Sequence, residues 1–235
     1  FKNNGNKTFD SGTIVNSTGY FANPTSVQLG DINNDGFLDV VYGSNDSPFS
    51  PNSDHYVLAW FYDSVNNSFN RSHAASNTIE QVSSIHLSDL DTNGTTDIIS
   101  TSSFDNKVVW YERIFGSNPY YKKRTLDSDN FKPRVVKAGD IDGDGDQDIV
   151  VGFYRSNTIG WYENYGNNNF SEYKWISNYG DIKSIQVVDL DLDNDLDLLI
   201  ASTRSMSWYE NLGNKTFDPA HNRISYLSGG SSAYA

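Results

Sequence analysis

The chain has 235 residues, 37% of them apolar and 14% aromatic. That aromatic content excludes a disordered chain, no apolar run reaches the 18 residues of a membrane-spanning helix, and the lack of Cys excludes a disulfide scaffold and Cys-based zinc or redox sites. A net charge of -13 argues against a nucleic-acid backbone or an anionic membrane as partner, so neither nucleic-acid binding nor membrane insertion is expected.

Read from the N-terminus, residues 1–24 form a partial unit. Its hexapeptide Gly5–Asp10 (GNKTFD) returns at Gly213–Asp218, an offset of 208, or four units of 52. Residues 25–81 form the first full unit: a short alternating segment (Ser26–Leu29), the acidic window Asp31–Asp39 (DINNDGFLD), a β-branched run to Tyr42, then Trp60 and an aromatic segment at Ser68–Asn70. Units 82–132, 133–181 and 182–228 repeat this order. Their windows are Asp89–Asp97 (DLDTNGTTD), Asp140–Asp148 (DIDGDGDQD) and Asp189–Asp197 (DLDLDNDLD), and their tryptophans Trp110, Trp161 and Trp208. Residues 229–235 read as the start of a further repeat or a tail. The windows start 58, 51 and 49 residues apart, and the tryptophans lie 50, 51 and 47 apart, which reads as a second feature in step with the first.

Each unit thus predicts four short strands with Gly/Asn-rich turns between them and no helical period. Four-stranded units recurring at about 50 residues are the signature of propeller blades. The expected fold is all-β: a β-propeller of about four and a half repeats, either part of a larger propeller or completed by oligomerisation. The recurring tryptophans are expected to pack between blades, where large aromatic side chains bury the most area.

The windows hold 16 of the 30 acidic residues and no Lys or Arg, so the rest of the chain carries +3. Their pattern is Asp-x-(Asp/Asn)-x-(Asp/Asn)-(Gly/Asn)-x-x-Asp. Crowding four oxygen-bearing side chains costs repulsion and desolvation unless a cation compensates. Ca2+ takes six to eight oxygens, which alternate side chains and a backbone carbonyl at position 7 can supply. The candidate ligands are Asp31, Asn33, Asp35, Phe37 and Asp39; Asp89, Asp91, Asn93, Thr95 and Asp97; Asp140, Asp142, Asp144, Asp146 and Asp148; and Asp189, Asp191, Asp193, Asp195 and Asp197. Position 6 is Gly36, Gly94, Gly145 or Asn194, types that tolerate a positive φ. An EF-hand would need Glu at position 12, where Tyr42, Ser100, Val151 and Ile200 stand, and a helix where strand formers follow. Solvated Asp/Asn turns are the alternative for any one loop; four loops in register argue against it. Up to four Ca2+ are therefore expected.

At these residues the chain resembles the FG-GAP/VCBS repeat family, the propeller repeats also found in integrin α-subunit heads. The likeness runs from Thr25 to Ser228, and Trp-Tyr-Glu-Asn at residues 161–164 and 208–211 adds to it. It implies calcium loops joining the two inner strands of each blade, and members that serve in adhesion, in carbohydrate binding or as domains of secreted enzymes. The family's propellers typically have more than four blades.

No catalytic constellation is present: the four His occupy unrelated positions and the carboxylates are committed to the loops. Trp175, outside the register with Tyr173 beside it, is the better candidate for an exposed ligand-binding aromatic, although outer-strand packing competes. The insertion Ser44–Tyr56, with Pro48, Pro51 and His55, is a candidate partner contact. Eight Asn-x-Ser/Thr sequons and loops suited to millimolar Ca2+ favour a secreted or cell-surface glycoprotein. The expected function is a non-enzymatic extracellular module binding a surface protein or glycan; the alternatives are a structural subunit of a surface layer or fibre, and the scaffold of a secreted carbohydrate-active enzyme. Loops one and two carry Asn33 and Asn93 where the others carry Asp, and ligand charge sets affinity. Calorimetry on variants with single loops disabled should therefore show weaker Ca2+ binding at loops one and two than at loops three and four; equal affinities would contradict this order.

Overall fold

The computed structural model describes residues 23–44, 57–76, 81–114, 120–127, 131–178, 180–203, 205–218 and 222–226. No helix occurs among them, and hence none long and apolar enough to cross a membrane. Sixteen strands among the described residues form four antiparallel sheets of four. Blade 1 is β1 (Pro24–Gly30), β2 (Asp39–Ser44), β3 (Val57–Asp63) and β4 (Ser68–Ser76). Blade 2 is β5 (Val82–Ser88), β6 (Asp97–Ser102), β7 (Lys107–Ile114) and β8 (Tyr120–Asp127). Blade 3 is β9 (Pro133–Gly139), β10 (Asp148–Phe153), β11 (Thr158–Tyr162) and β12 (Lys174–Asn178), and blade 4 is β13 (Ile182–Val188), β14 (Asp197–Ser202), β15 (Ser205–Tyr209) and β16 (Asn222–Tyr226).

Strands within each sheet follow chain order. The first strands pack on one another from blade to blade, β1 on β5, β5 on β9 and β9 on β13, so they are the inner strands of a four-blade β-propeller. The sequence explains the layering. Each second strand is a near-continuous apolar run, and β6, β10 and β14 are buried along their whole length between two neighbours. Inner strands mix buried and half-buried positions, because only part of their surface meets another blade.

Three of the hydrophobic clusters are interfaces or parts of them. Val41 and Ala59 of blade 1 meet Ile98 and Tyr111 of blade 2. Ile99 and Trp110 of blade 2 meet Ile149, Val151 and Tyr162 of blade 3. Val150 and Trp161 of blade 3 meet Leu198, Ile200 and Tyr209 of blade 4. Along each strand, alternate residues serve alternate interfaces, as a period of two requires.

One tryptophan departs from the expected register. Trp110, Trp161 and Trp208 lie opposite Ile99, Val150 and Leu199, two residues after the last Asp of their loops. Trp60 lies opposite Val40, one residue after Asp39. It therefore occupies the position of Tyr111, Tyr162 and Tyr209, and Ala59 takes the place of the other tryptophans. A shift of one residue moves a side chain to the other face of the sheet. Trp60 accordingly clusters with Tyr42 and Leu58 on the face of blade 1 turned away from blade 2. On the far side of the array, Trp208 clusters with Leu199, Ala201 and Met206 on the outer face of blade 4.

Trp110 is fully buried between two blades. Replacing it with Ala should cost about 3–5 kcal/mol. Urea denaturation would measure this, and a loss below 1 kcal/mol would mean that the interface does not carry the fold.

Candidate metal centre

The four acidic windows lie at one end of the blades, each joining the first strand to the second: 31–38 between β1 and β2, 89–96 between β5 and β6, 140–147 between β9 and β10, and 189–196 between β13 and β14. The last Asp of each window opens the second strand and is fully buried: Asp39, Asp97, Asp148 and Asp197. Its carboxylate ties two separate segments together. One oxygen accepts the N–H of the second loop residue, from Ile32 at 3.0 Å, Leu90 at 3.1 Å, Ile141 at 2.8 Å and Leu190 at 3.0 Å. The other accepts the N–H just beyond or at the end of the third strand, from Tyr62 at 2.9 Å, Arg113 at 2.7 Å, Asn164 at 2.7 Å and Asn211 at 2.8 Å.

The first Asp organises the rest of the loop. Asp31, Asp89, Asp140 and Asp189 each accept the N–H of the fifth residue with one oxygen and that of the sixth with the other. The fifth residue, Asp35, Asn93, Asp144 or Asp193, in turn accepts the N–H of the seventh. This chain of Asx turns needs two left-handed residues per loop. Position 6 shows it as expected, with φ of 87° at Gly36, 81° at Gly94, 96° at Gly145 and 77° at Asn194. Position 4 also has positive φ, at Asn34, Thr92, Gly143 and Leu192, although only two of these four residue types favour it.

Folding the loop this way brings positions 1, 3 and 9 together. In Asp89–Asp91–Asp97, Asp140–Asp142–Asp148 and Asp189–Asp191–Asp197, one oxygen per residue lies within 4.8 Å of the others. Asp31, Asn33 and Asp39 stand at the same positions of the first loop, where the Asn33 amide donates to Asp35 at 2.8 Å. The seventh residues differ in surroundings. Phe37 is exposed and Thr95 buried, while Asp146 and Asp195 turn a carboxylate oxygen toward Gly166 and Gly213, where a Cβ would meet it at 3.0 Å.

The sequence profile of the FG-GAP-like repeat matches residues 1–42, 89–151 and 140–200, most of the chain's length. The chain belongs to the FG-GAP-like repeat family. No curated protein sequence matches it. Among solved structures, an Agrocybe aegerita lectin that recognises non-reducing terminal N-acetylglucosamine aligns at 17% identity and a TM-score of 0.57, over 86% of this chain and 52% of the lectin. Virginiamycin B lyase from Staphylococcus aureus aligns at 13% identity and a TM-score of 0.54, over 88% of this chain and 57% of the lyase. The chain spans little more than half the length of these structures, and at such identities the likeness is one of fold.

The donor set of these FG-GAP-like loops could hold a hard cation. Removal from water pushes the Asp97 and Asp148 carboxyls up to about 7, and the backbone N–H groups they accept offset only part of it. Asp39 and Asp91 are raised by the same cause first, then by hydrogen bonds and neighbouring acids acting in opposite directions. A divalent ion held by positions 1, 3 and 9 would supply the missing positive charge.

Residues outside the windows lock the FG-GAP-like loops to one another. The Asn164 amide, fully buried, donates to the Leu90 carbonyl of the preceding loop at 2.7 Å and to Gln147 of its own at 3.1 Å. Asn211 repeats this with Ile141 at 2.8 Å and Leu196 at 3.1 Å. Arg113 stands at the equivalent place in blade 2 and reaches Asn34 of loop one at 3.3 Å. Sequence reading saw the Asn only as the end of Trp-Tyr-Glu-Asn; its recurrence 16 and 14 residues after the last Asp of its own loop was the available signal.

The remaining candidates separate. Trp175 is 59% exposed on the outermost strand β12, its Nε1 donating to Asn178 at 3.3 Å. Tyr173 instead packs edge-on against Phe153, with ring centres 5.2 Å apart, and against Tyr162 at 5.7 Å. Tyr173 is therefore half-buried in packing while Trp175 faces solvent. His55 and most of the Ser44–Tyr56 insertion lie outside the described residues. A feature the sequence did not reveal lies at the opposite end of the blades: a cavity of about 440 Å³ where the starts of β1, β5 and β9 meet. Thr25, Gln81, Ser83, Lys132, Arg134 and Tyr154 contribute to its lining. Gln81 and Lys132 both have a φ of 55°, and the Arg134 guanidinium lies 5.3 Å from the centre of the Tyr154 ring.

The raised carboxyls set a pH dependence. Their folded pKa of about 7 exceeds the ordinary 3.8, so the metal-free folded chain binds more protons than the unfolded chain between those values. Stability from these groups therefore falls as pH rises from 4 to 7. Metal-free protein should melt higher at pH 5 than at pH 8, and Asp97→Asn with Asp148→Asn should flatten that slope. An unchanged slope in the double variant would remove these carboxyls as its cause.

Proposed function

We propose that the chain is a calcium-stabilised, non-enzymatic propeller that works outside the cell and binds a glycan. The observation that carries the calcium reading is the convergence of three carboxylates in each of three loops, one of them fully buried. Ca2+ suits an all-oxygen set on a tight, flexible loop, whereas Mg2+ demands a stricter octahedron and retains water. The seventh-residue carbonyls of Phe37, Thr95, Asp146 and Asp195 complete the proposed ligand sets. Four bound Ca2+ would bring the formal charge from -13 to -5. Loops that need this charge suit a compartment where Ca2+ is abundant, which supports secretion or display at the cell surface.

For the ligand, the cavity opposite the loops supports a glycan more than a protein surface. Hydroxyl, amide, ammonium, guanidinium and phenol groups meet in a space the size of a small ligand. Such polar donors beside one aromatic ring suit a polyhydroxylated molecule, and Lys132 and Arg134 favour one that carries a carboxylate or sulfate. The lectin with the same fold adds to this reading as an analogy of architecture alone. Trp175, exposed at the rim of blade 3, offers a second face on which a sugar ring could stack. A second reading, assembly with further blades or a second copy, draws on the apolar outer faces around Trp60 and Trp208.

Calcium at a hundredfold excess over its Kd should stabilise the fold by about 2.7 kcal/mol per site. Chelation should lower the melting temperature, and a glycan array read with and without Ca2+ should lose its signal in step. An unchanged melting temperature rejects the calcium reading; a blank array with Ca2+ present rejects the glycan.

A further inference from the structure

Among the described residues, loop three differs from loops two and four in a way that its own sequence does not show. Lys215 comes from the turn between β15 and β16 of the next blade, and its Nζ lies 2.8 Å from Oδ2 of Asp142, the third residue of loop three. It also pairs with Glu163, which pairs in turn with Lys174. The Asp142 side chain is completely shielded from solvent and that of Glu163 is 5% exposed. An ammonium group thus sits between two buried carboxylates, one of which belongs to the metal cluster.

The turn is built to hold it there. Leu212 donates to Thr216 at 2.9 Å and Thr216 to Gly213 at 3.1 Å, which fixes Asn214 and Lys215 at φ of 44° and 68°. A lysine in the left-handed region costs backbone energy that a contact must repay. Blade 3 has the same turn with the same hydrogen bonds, but its equivalent residue is the uncharged Asn168, at φ 62°. Among the described residues, loop two, which blade 3 faces, therefore has no such cation. In loop four, no Lys or Arg pairs with Asp191 or with Glu210 among the described residues.

We propose that Lys215 is a tethered cation at loop three, competing with the divalent ion for Asp142 and clipping blade 4 to blade 3 when the loop is metal-free. The inference rests on the calcium reading above. Any divalent ion on Asp140 and Asp148 would meet the ammonium charge across the Asp142 carboxylate, which is shielded from solvent although the Lys215 side chain is 44% exposed. Loop three, with the same Asp set as loop four, consequently binds Ca2+ more weakly. Its loading exchanges an interblade ion pair for a metal ion, so occupancy at loop three is coupled to the contact between blades 3 and 4.

Calorimetric titration of the whole chain with Ca2+ tests this. Lys215→Met, which keeps the length of the side chain and removes its charge, should tighten one class of sites on the order of tenfold. Lys215→Arg should bind as the parent does. Adding Asp140→Asn to Lys215→Met should abolish the gain, because loop three is then disabled. Without metal, Lys215→Met should melt below the parent, and the gap should close on adding Ca2+. Unchanged or weaker binding by Lys215→Met overturns the proposal, as does a gain that survives Asp140→Asn. No binding heat from the parent chain overturns the calcium reading itself, and the competition with it.

Discussion

The fold depends on a buried carboxylate that would be costly anywhere else. At the ninth position of each loop, Asp39, Asp97, Asp148 and Asp197 hold two backbone N–H groups from segments well apart in the chain. This fixes the loop onto its own sheet, sets the start of the second strand, and pins the third strand in register with it. An Asn could accept one of the two bonds and would present its amide hydrogens to the other donor. A neutral apolar residue would leave two buried N–H groups unpaired, at a cost of roughly 1–3 kcal/mol each. The Asx turns of the loop hold its remaining acids close to this carboxylate against their mutual repulsion, in a cluster that could take a metal ion. Structural tie and candidate metal ligand are thus one residue, recurring from blade to blade.

That dual role explains how much was legible from sequence. Asp recurs because both tasks need it, so the nine-residue windows gave the period, the strand boundaries and the end of the molecule where the loops gather. The apolar runs behind them named the buried second strands. Trp60 misled, because spacing in the chain counts residues while a sheet counts registers. Ala59 stands where the other blades place Trp, and a difference of one residue reverses the face. The left-handed position 4 was illegible, since Thr92 and Leu192 give no sign of it; only the demands of the Asx turns on both sides impose it. The Asn164 and Asn211 latches were visible as letters without a task, because the partner each holds in the preceding loop is a carbonyl 74 or 70 residues away. The cavity was invisible, since its lining comes from the starts of three different blades.

The distribution of charge follows from the same layout. Inner strands of seven residues span roughly 20 Å between the two ends of a blade. The acids crowd one end, where the proposed metal ions would neutralise them. At the other end, Arg134 pairs with Asp181 at 2.7 Å and Lys183 with the same carboxylate at 2.6 Å, while Lys132 adds a further positive charge beside the cavity. A formal charge of -13 thus describes neither end.

This separation also limits how metal and ligand can influence each other. Direct attraction between sites at opposite ends, both near solvent, is screened beyond about 8–10 Å at ordinary ionic strength. Any coupling has to pass through the strands. The route exists in β9: its end leads into loop three, where Lys215 of the next blade competes for Asp142, and its start carries Arg134 at the cavity, paired with Asp181 just before β13. Both ends of the contact between blades 3 and 4 are therefore closed by ion pairs, with the apolar cluster of Trp161 and Tyr209 between them. A packed interface of this kind shifts as a unit rather than bending locally. Metal occupancy at loop three can reach the cavity only by changing how blade 4 sits on blade 3, and the ion pairs at the two ends mark where that change would begin and arrive.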